Sequence, residues 1–152
     1  MRAARQLDIF KGNRQRGRAP PPPEEFPVHC MIADTLKRWV APGWVWTHPP
    51  NGGERAKRQN PHTGRWYSPD GQRLARMGTR PGVSDFLLIG PPSGRLHALE
   101  LKRHGEKPSD EQYQFLADIE AAGGAAAWVD TYDGAVIQLK AWGALPTTVK
   151  VA

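Results

Sequence analysis

Two short apolar runs separated by a dense cluster of chain breakers dominate the middle of this chain. They read Val83-Ser84-Asp85-Phe86-Leu87-Leu88-Ile89, then Gly90-Pro91-Pro92-Ser93-Gly94, then Leu96-His97-Ala98-Leu99-Glu100-Leu101-Lys102. Runs of this length bounded by Gly and Pro are strands, and so short a connection pairs them as an antiparallel hairpin. A turn centred between Pro92 and Ser93 sets Asp85 directly opposite Glu100. Opposed residues on one face have Cβ atoms only about 4.5–5.5 Å apart, and like charges so placed repel. Two carboxylates held there call for a cation between them. Lys102 leaves the strand on the same face as Glu100, because side chains alternate. An acid pair around a metal, with an ammonium beside it, is equipment for phosphodiester hydrolysis.

Each residue also has a plainer reading. Glu and Lys at i, i+2 on a strand end make a solvated ion pair, and Asp after Gly-Val-Ser is a turn residue. Their combination is harder to dismiss. Leu99 and Leu101 mark the other face of the second strand as core, while Phe86 to Ile89 reads as buried on both faces. A bulge in either strand would shift the register by one residue.

The wider pattern is Gly78-Thr79-Arg80-Pro81-Gly82-Val83-Ser84-Asp85, then Glu100-Leu101-Lys102, Gly105 and Ser109-Asp110-Glu111-Gln112. It resembles the VRR-Nuc branch of the PD-(D/E)xK nuclease superfamily, where Gly-Val-Pro-Asp leads into an apolar strand, followed by Glu-x-Lys, a Gly, and Ser-x-x-Gln opening a helix. Ser84 stands in place of the Pro, at a position that is not a ligand. The likeness runs from about Glu25 to Trp142. It implies an α/β fold with a restriction-endonuclease-like core, a mixed β-sheet flanked by helices. It implies a Mg²⁺- or Mn²⁺-dependent DNA endonuclease, with catalytic residues Asp85, Glu100, Lys102 and Gln112. The metal would be held by Asp85, Glu100, the Leu101 backbone carbonyl and Glu25, with Glu24 as the fallback for the last. Hard oxygen donors suit these ions, and the lack of a Cys/His set disfavours zinc. The resemblance further implies 5′-phosphate and 3′-hydroxyl products, branched DNA such as four-way junctions as substrate, and a homodimer. The absence of a signal-peptide apolar core after Met1-Arg2-Ala3-Ala4-Arg5 leads to the expectation of a cytoplasmic protein, bacterial or phage-encoded. No small-molecule cofactor is expected. The alternatives are a non-catalytic nucleic-acid-binding module of the same fold, or an RNA-processing nuclease.

Charge agrees with an anionic partner. The net charge is +6 over 152 residues, and its distribution says more than its sum. Residues 1–23 hold six Lys/Arg against one acid, residues 51–80 seven against two, and residues 81–152 six against nine. An acidic patch beside a basic segment is what phosphate docking next to a bound cation requires; the plainer reading is solubilising charge. Within 51–80 the nucleic-acid candidates are Arg55, Lys57, Arg58, Arg65, Trp66, Arg73 and Arg76. Trp44, Trp46 and Trp66 could stack on unpaired bases, each stack worth about 1–3 kcal/mol. Trp44 and Trp46 share a strand face where at least one suits core packing, so Trp66 is the better nucleic-acid candidate.

The rest of the chain reads as one domain, residues 24–152, behind a basic, Pro-rich arm over 1–23 without periodicity. Val28 to Val40 is an amphipathic helix with Val28, Ile32, Leu36 and Trp39 at helical spacing. Trp44 to His48 is a short strand, 51–80 an irregular excursion, Ser109 to Ala122 a helix, Ala125 to Asp130 a third core strand, and Asp133 to Trp142 a last helix. Gln112 has two readings: Ser109-x-x-Gln112 is a capping box, yet Gln112 shares a face with Leu116 and Ile119 and needs a polar partner if it packs on the sheet. Glu25, on a line with His29, Ile32 and Leu36, suits a helix N-terminus on dipole grounds alone. His48 reads as a surface residue rather than a ligand. Cys30, the single cysteine, excludes an intrachain disulfide and reads as a small buried hydrophobe. No run approaches the ~20 apolar residues of a membrane helix.

Overall fold

The computed structural model of the protein describes residues 25–50 and 57–151; the expected arm, Glu24 and Arg55 lie outside the described residues. Helix α1 spans Glu25–Trp39. Pro27 falls in its first turn, where backbone N–H groups have no intrahelical acceptor. Strand β1 is Val45–Thr47, and β2 (Arg58–Gln59) and β3 (Trp66–Tyr67) form a separate antiparallel ribbon. Helix α2 is Pro69–Arg76, β4 is Phe86–Gly90, β5 is Arg95–Leu101, α3 is Asp110–Ala121, β6 is Ala125–Val129 and α4 is Tyr132–Ala141. The main sheet has the order β1-β4-β5-β6, with antiparallel pairing from β1 to β5 and parallel pairing of β6 with β5. Parallel neighbours need a crossover, and α3 supplies it.

The sheet is mixed and has helices on both faces. On one side Ile32 and Leu36 of α1 and Ala135, Val136 and Leu139 of α4 pack on Phe86, Leu88, Leu99 and Leu101. On the other, Phe115 and Leu116 of α3 pack on Ala98, with Leu87 and Ala126 at the margin. Strand β5 is covered from both sides, and its last five residues are all buried.

The hairpin register is the expected one at every rung, from Phe86 opposite Leu99 to Gly90 opposite Arg95. Gly90 lies under Trp44, whose indole a Cβ there would strike, so a side chain at this turn would displace β1. Val136, Leu139 and Ala135 of α4 are core, and Trp44 and Trp46 both pack against it.

Several expectations need correction. Ile89 is 46% exposed, so β4 is not buried on both faces; α3 covers Leu87 but not the turn end of the strand. Trp39, at the end of α1, is 50% exposed. Strand β6 is an edge strand and only half-buried, and Cys30 is likewise half-buried. The described part of the expected excursion, residues 57–80, is more regular than expected. Asn60 Oδ1 accepts from the N–H groups of His62 and Thr63 and closes the β2–β3 turn. Ser68 caps α2 through the Gly71 N–H, with Pro69 at its start. Ser-Pro followed by an acid is a helix-start signal, so α2 was readable in principle. Among the described residues no helix is long and apolar enough to cross a membrane.

Candidate functional site

The expected acidic residues converge where β4 begins and β5 ends. The ladder stops at Phe86–Leu99, and beyond it Asp85 Oδ2 accepts the Leu101 N–H at 2.8 Å. The Asp85 carboxylate thus takes the place that a further rung would give to backbone. In a strand a residue's N–H and C=O point to the same edge, so the Leu101 carbonyl faces the edge on which Asp85 lies.

Glu100 is the most unusual group of the site. It is 1% exposed. Its Oε1 accepts from Lys102 Nζ at 2.9 Å and from Gln112 Nε2. Its Oε2 is buried with no hydrogen-bond partner among the described residues. Burial, and then the negative charge of Asp85, push the Glu100 carboxyl up to about 7, against the lowering effect of Lys102. A buried carboxylate with an orphan oxygen is costly to ionise; a cation at that oxygen would remove the cost.

Gln112 satisfies both of its readings at once. Its Oε1 accepts the Ser109 N–H at 2.9 Å while the Ser109 hydroxyl accepts the Gln112 N–H at 3.4 Å, which is the capping box. Its Nε2 is left to donate to Glu100. The N-terminus of α3 is held to the strand by this one side chain. Gly82 presses the preceding loop against the same helix end: φ is +77° and a Cβ would collide with the Glu111 carbonyl. Arg80 adds an ion pair with Asp118 and stacks 5.5 Å over the Phe115 ring. The segment leading into Asp85 is therefore fixed on α3.

Glu25 reaches the site from α1. Its carboxyl is raised above the usual range, first by burial and then by the charge of Asp85, with Lys102 and Arg103 acting in the opposite sense. Glu25 is thus within electrostatic reach of Asp85 and Lys102. The structure brings together Asp85, Glu100, Lys102 and Gln112 through hydrogen bonds and an ion pair.

Two histidines join them that sequence reasoning did not credit. His48 follows β1 and is exposed, as expected, yet its Nδ1 donates to the Asp85 backbone carbonyl at 2.7 Å. His29, one turn after Glu25, packs edge-on against His48 with ring centroids 4.3 Å apart. It also lies 4.5 Å from the ring of Phe86. Burial, followed by His48, lowers the His29 pKa below its usual value. One ligand atom from each of His29, His48 and Asp85 lies within 4.8 Å of the others. The line Glu25–His29 was visible in the sequence, but the approach of His48 depends on β1 pairing with β4.

The basic candidates lie apart from the sheet. Lys57, Arg58, Arg65 and Trp66 belong to the β2–β3 ribbon and its flanks, and Arg73 and Arg76 to α2; all are exposed, Trp66 at 66%. Lys57 and Trp66 line one shallow recess. No family profile, curated protein or solved structure matches the chain.

Proposed function

We propose that this protein is a metal-dependent DNA endonuclease with a restriction-endonuclease-like core. The observation that carries the reading is Glu100: a buried carboxylate with an orphan oxygen, facing a second acid and bonded to a lysine. Asp85, Glu100, the Leu101 carbonyl and Glu25 would offer only oxygen donors, the chemistry that suits Mg²⁺ or Mn²⁺. When bound, such an ion lowers the pKa of a coordinated water and offsets charge on the phosphoryl oxygens.

The chain's own residues do the remainder. Lys102 holds an ammonium at the edge of the acid pair, where it orients the attacking water or stabilises the pentavalent oxyanion. Gln112 fixes the Glu100 carboxylate by donating to it, and the Leu101 N–H fixes Asp85. The exposed cations at Lys57, Arg58, Arg65, Arg73 and Arg76 supply phosphate contacts, and Trp66 a stacking surface. By its resemblance to junction-resolving enzymes, the substrate is branched DNA and the working form a homodimer, whose two sites would make paired cuts.

The test is cleavage of junction, flap, linear duplex and RNA substrates at one fixed salt concentration, since phosphate-dominated affinity varies steeply with salt. Lys102→Ala should abolish cleavage and keep DNA binding. Asp85→Ala should abolish cleavage and tight Mn²⁺ binding. If both variants cut DNA at the parental rate, or if Mn²⁺ stabilises Asp85→Ala as much as the parent, the reading is wrong. Preference for RNA, or binding without cleavage, would favour the alternatives.

A further inference from the structure

We infer that His29, His48 and Asp85 form a nitrogen-containing site for a borderline divalent cation of the zinc class, distinct in chemistry from the all-oxygen set and sharing Asp85 with it. Three observations carry this. One donor from each residue lies within 4.8 Å of the others, a spacing that small side-chain rotations close onto one ion. The three residues come from separate elements, α1, the chain after β1 and the approach to β4, so their meeting is a product of the tertiary fold rather than of local sequence.

The third observation is orientation. The Asp85 carbonyl can only accept, so His48 Nδ1 carries the hydrogen of their 2.7 Å bond. In the neutral ring the lone pair then sits on Nε2. A ligating histidine that donates its other ring N–H to a backbone carbonyl is the usual arrangement around a protein-bound metal. His29 packs against Phe86, which is fully buried, with ring centroids 4.5 Å apart.

Imidazole donors decide the class of ion. They suit Zn²⁺, Co²⁺ and Ni²⁺, whereas Mg²⁺ takes oxygen ligands and keeps its waters. Three protein donors on zinc leave a fourth position for water, which such an ion acidifies to near neutral pH. Asp85 is the hinge between the two donor sets. The protein would therefore take up a zinc-class ion through His29 and His48, which the all-oxygen set does not use, together with the shared Asp85.

The test uses the full chain, freed of metal by chelation and titrated with Co²⁺ as an optical probe, then with Zn²⁺ in competition. The expected result is a visible Co²⁺ band that one equivalent of Zn²⁺ removes, and a loss of Zn²⁺ affinity of at least about tenfold in both His29→Gln and His48→Gln. His29 packs on Phe86, so circular dichroism must show that its variant folds; exposed His48 provides the second variant if it does not. Lys102→Ala, expected to be inactive as a nuclease, should retain the Co²⁺ band, so the site and the nuclease reading fail separately. Absence of the band in the parent, or a folded His48→Gln that binds Zn²⁺ as the parent does, would overturn the inference.

Discussion

Replacing Glu100 by glutamine tests the physical account of the acid pair most directly. In the folded protein the Glu100 carboxyl titrates at about 7, against 4.5 for the free side chain. The folded state therefore holds this proton more tightly than the unfolded chain does. Between those two pH values the native state binds more protons, and stability falls as pH rises. At about 1.4 kcal/mol per pH unit the full cost is at most about 3 kcal/mol, complete above the folded value and absent below the unfolded one. Glutamine imitates the neutral acid and keeps an oxygen to accept from Lys102 and Gln112. Glu100→Gln should thus match the parent near pH 4 and exceed it by up to about 3 kcal/mol near pH 8, both in EDTA. The upward shift of Glu25 is present in both proteins and largely cancels in the difference. Urea titrations at a series of pH values measure it. Adding Mn²⁺ near pH 8 should restore the parent, by about 2.7 kcal/mol at a hundredfold excess over Kd, and leave the variant unmoved. A stability difference independent of pH, or a parent that gains on the variant as pH rises, would refute the reasoning.

Gly82→Ala should cost about 1–3 kcal/mol, from a left-handed φ of +77° and the clash with the Glu111 carbonyl; unchanged stability in urea would show that the loop moves freely off α3. Gln112→Ala should cost about 1–2 kcal/mol by removing half of the capping box and a donor to a buried carboxylate, and should move the Glu100 titration, followed by carboxyl NMR, further upward. A Lys57→Ala, Trp66→Ala double variant should weaken binding to single-stranded DNA and flatten its salt dependence by about one phosphate contact, while leaving melting unchanged; unaltered affinity would exclude the ribbon from the interface. Removing residues 1–20, which contain six Lys/Arg and one acid, should flatten the salt dependence further and leave cooperative unfolding intact, with loss of cooperativity as the contrary result.

The local code carried a large part of the architecture. The hairpin register followed from breakers at Gly90 to Gly94 and from two apolar strands of matched length, because turn position and side-chain alternation fix which residues face each other. The helices at Ser109 and Asp133 were readable from caps and apolar period, whereas the expected rung between Asp85 and Glu100 is not formed: the ladder ends at Phe86 and Leu99, and the Asp85 side chain binds the Leu101 N–H instead. What the sequence by itself could not decide was depth and company. Glu100 is buried because α3 lies over that face and α1 and α4 over the other, and its pKa follows from that packing rather than from its neighbours in sequence. Gln112 could be read as a cap or as a site residue, and only the placement of α3 against β5 shows that one amide does both. His29 and His48 looked like unrelated residues until the pairing of β1 with β4 and the packing of α1 carried them to Asp85. Periodicity and turn chemistry act over a few residues and are written in order along the chain. Burial, desolvation and the meeting of distant side chains are properties of the assembled layers, and only the tertiary fold sets them.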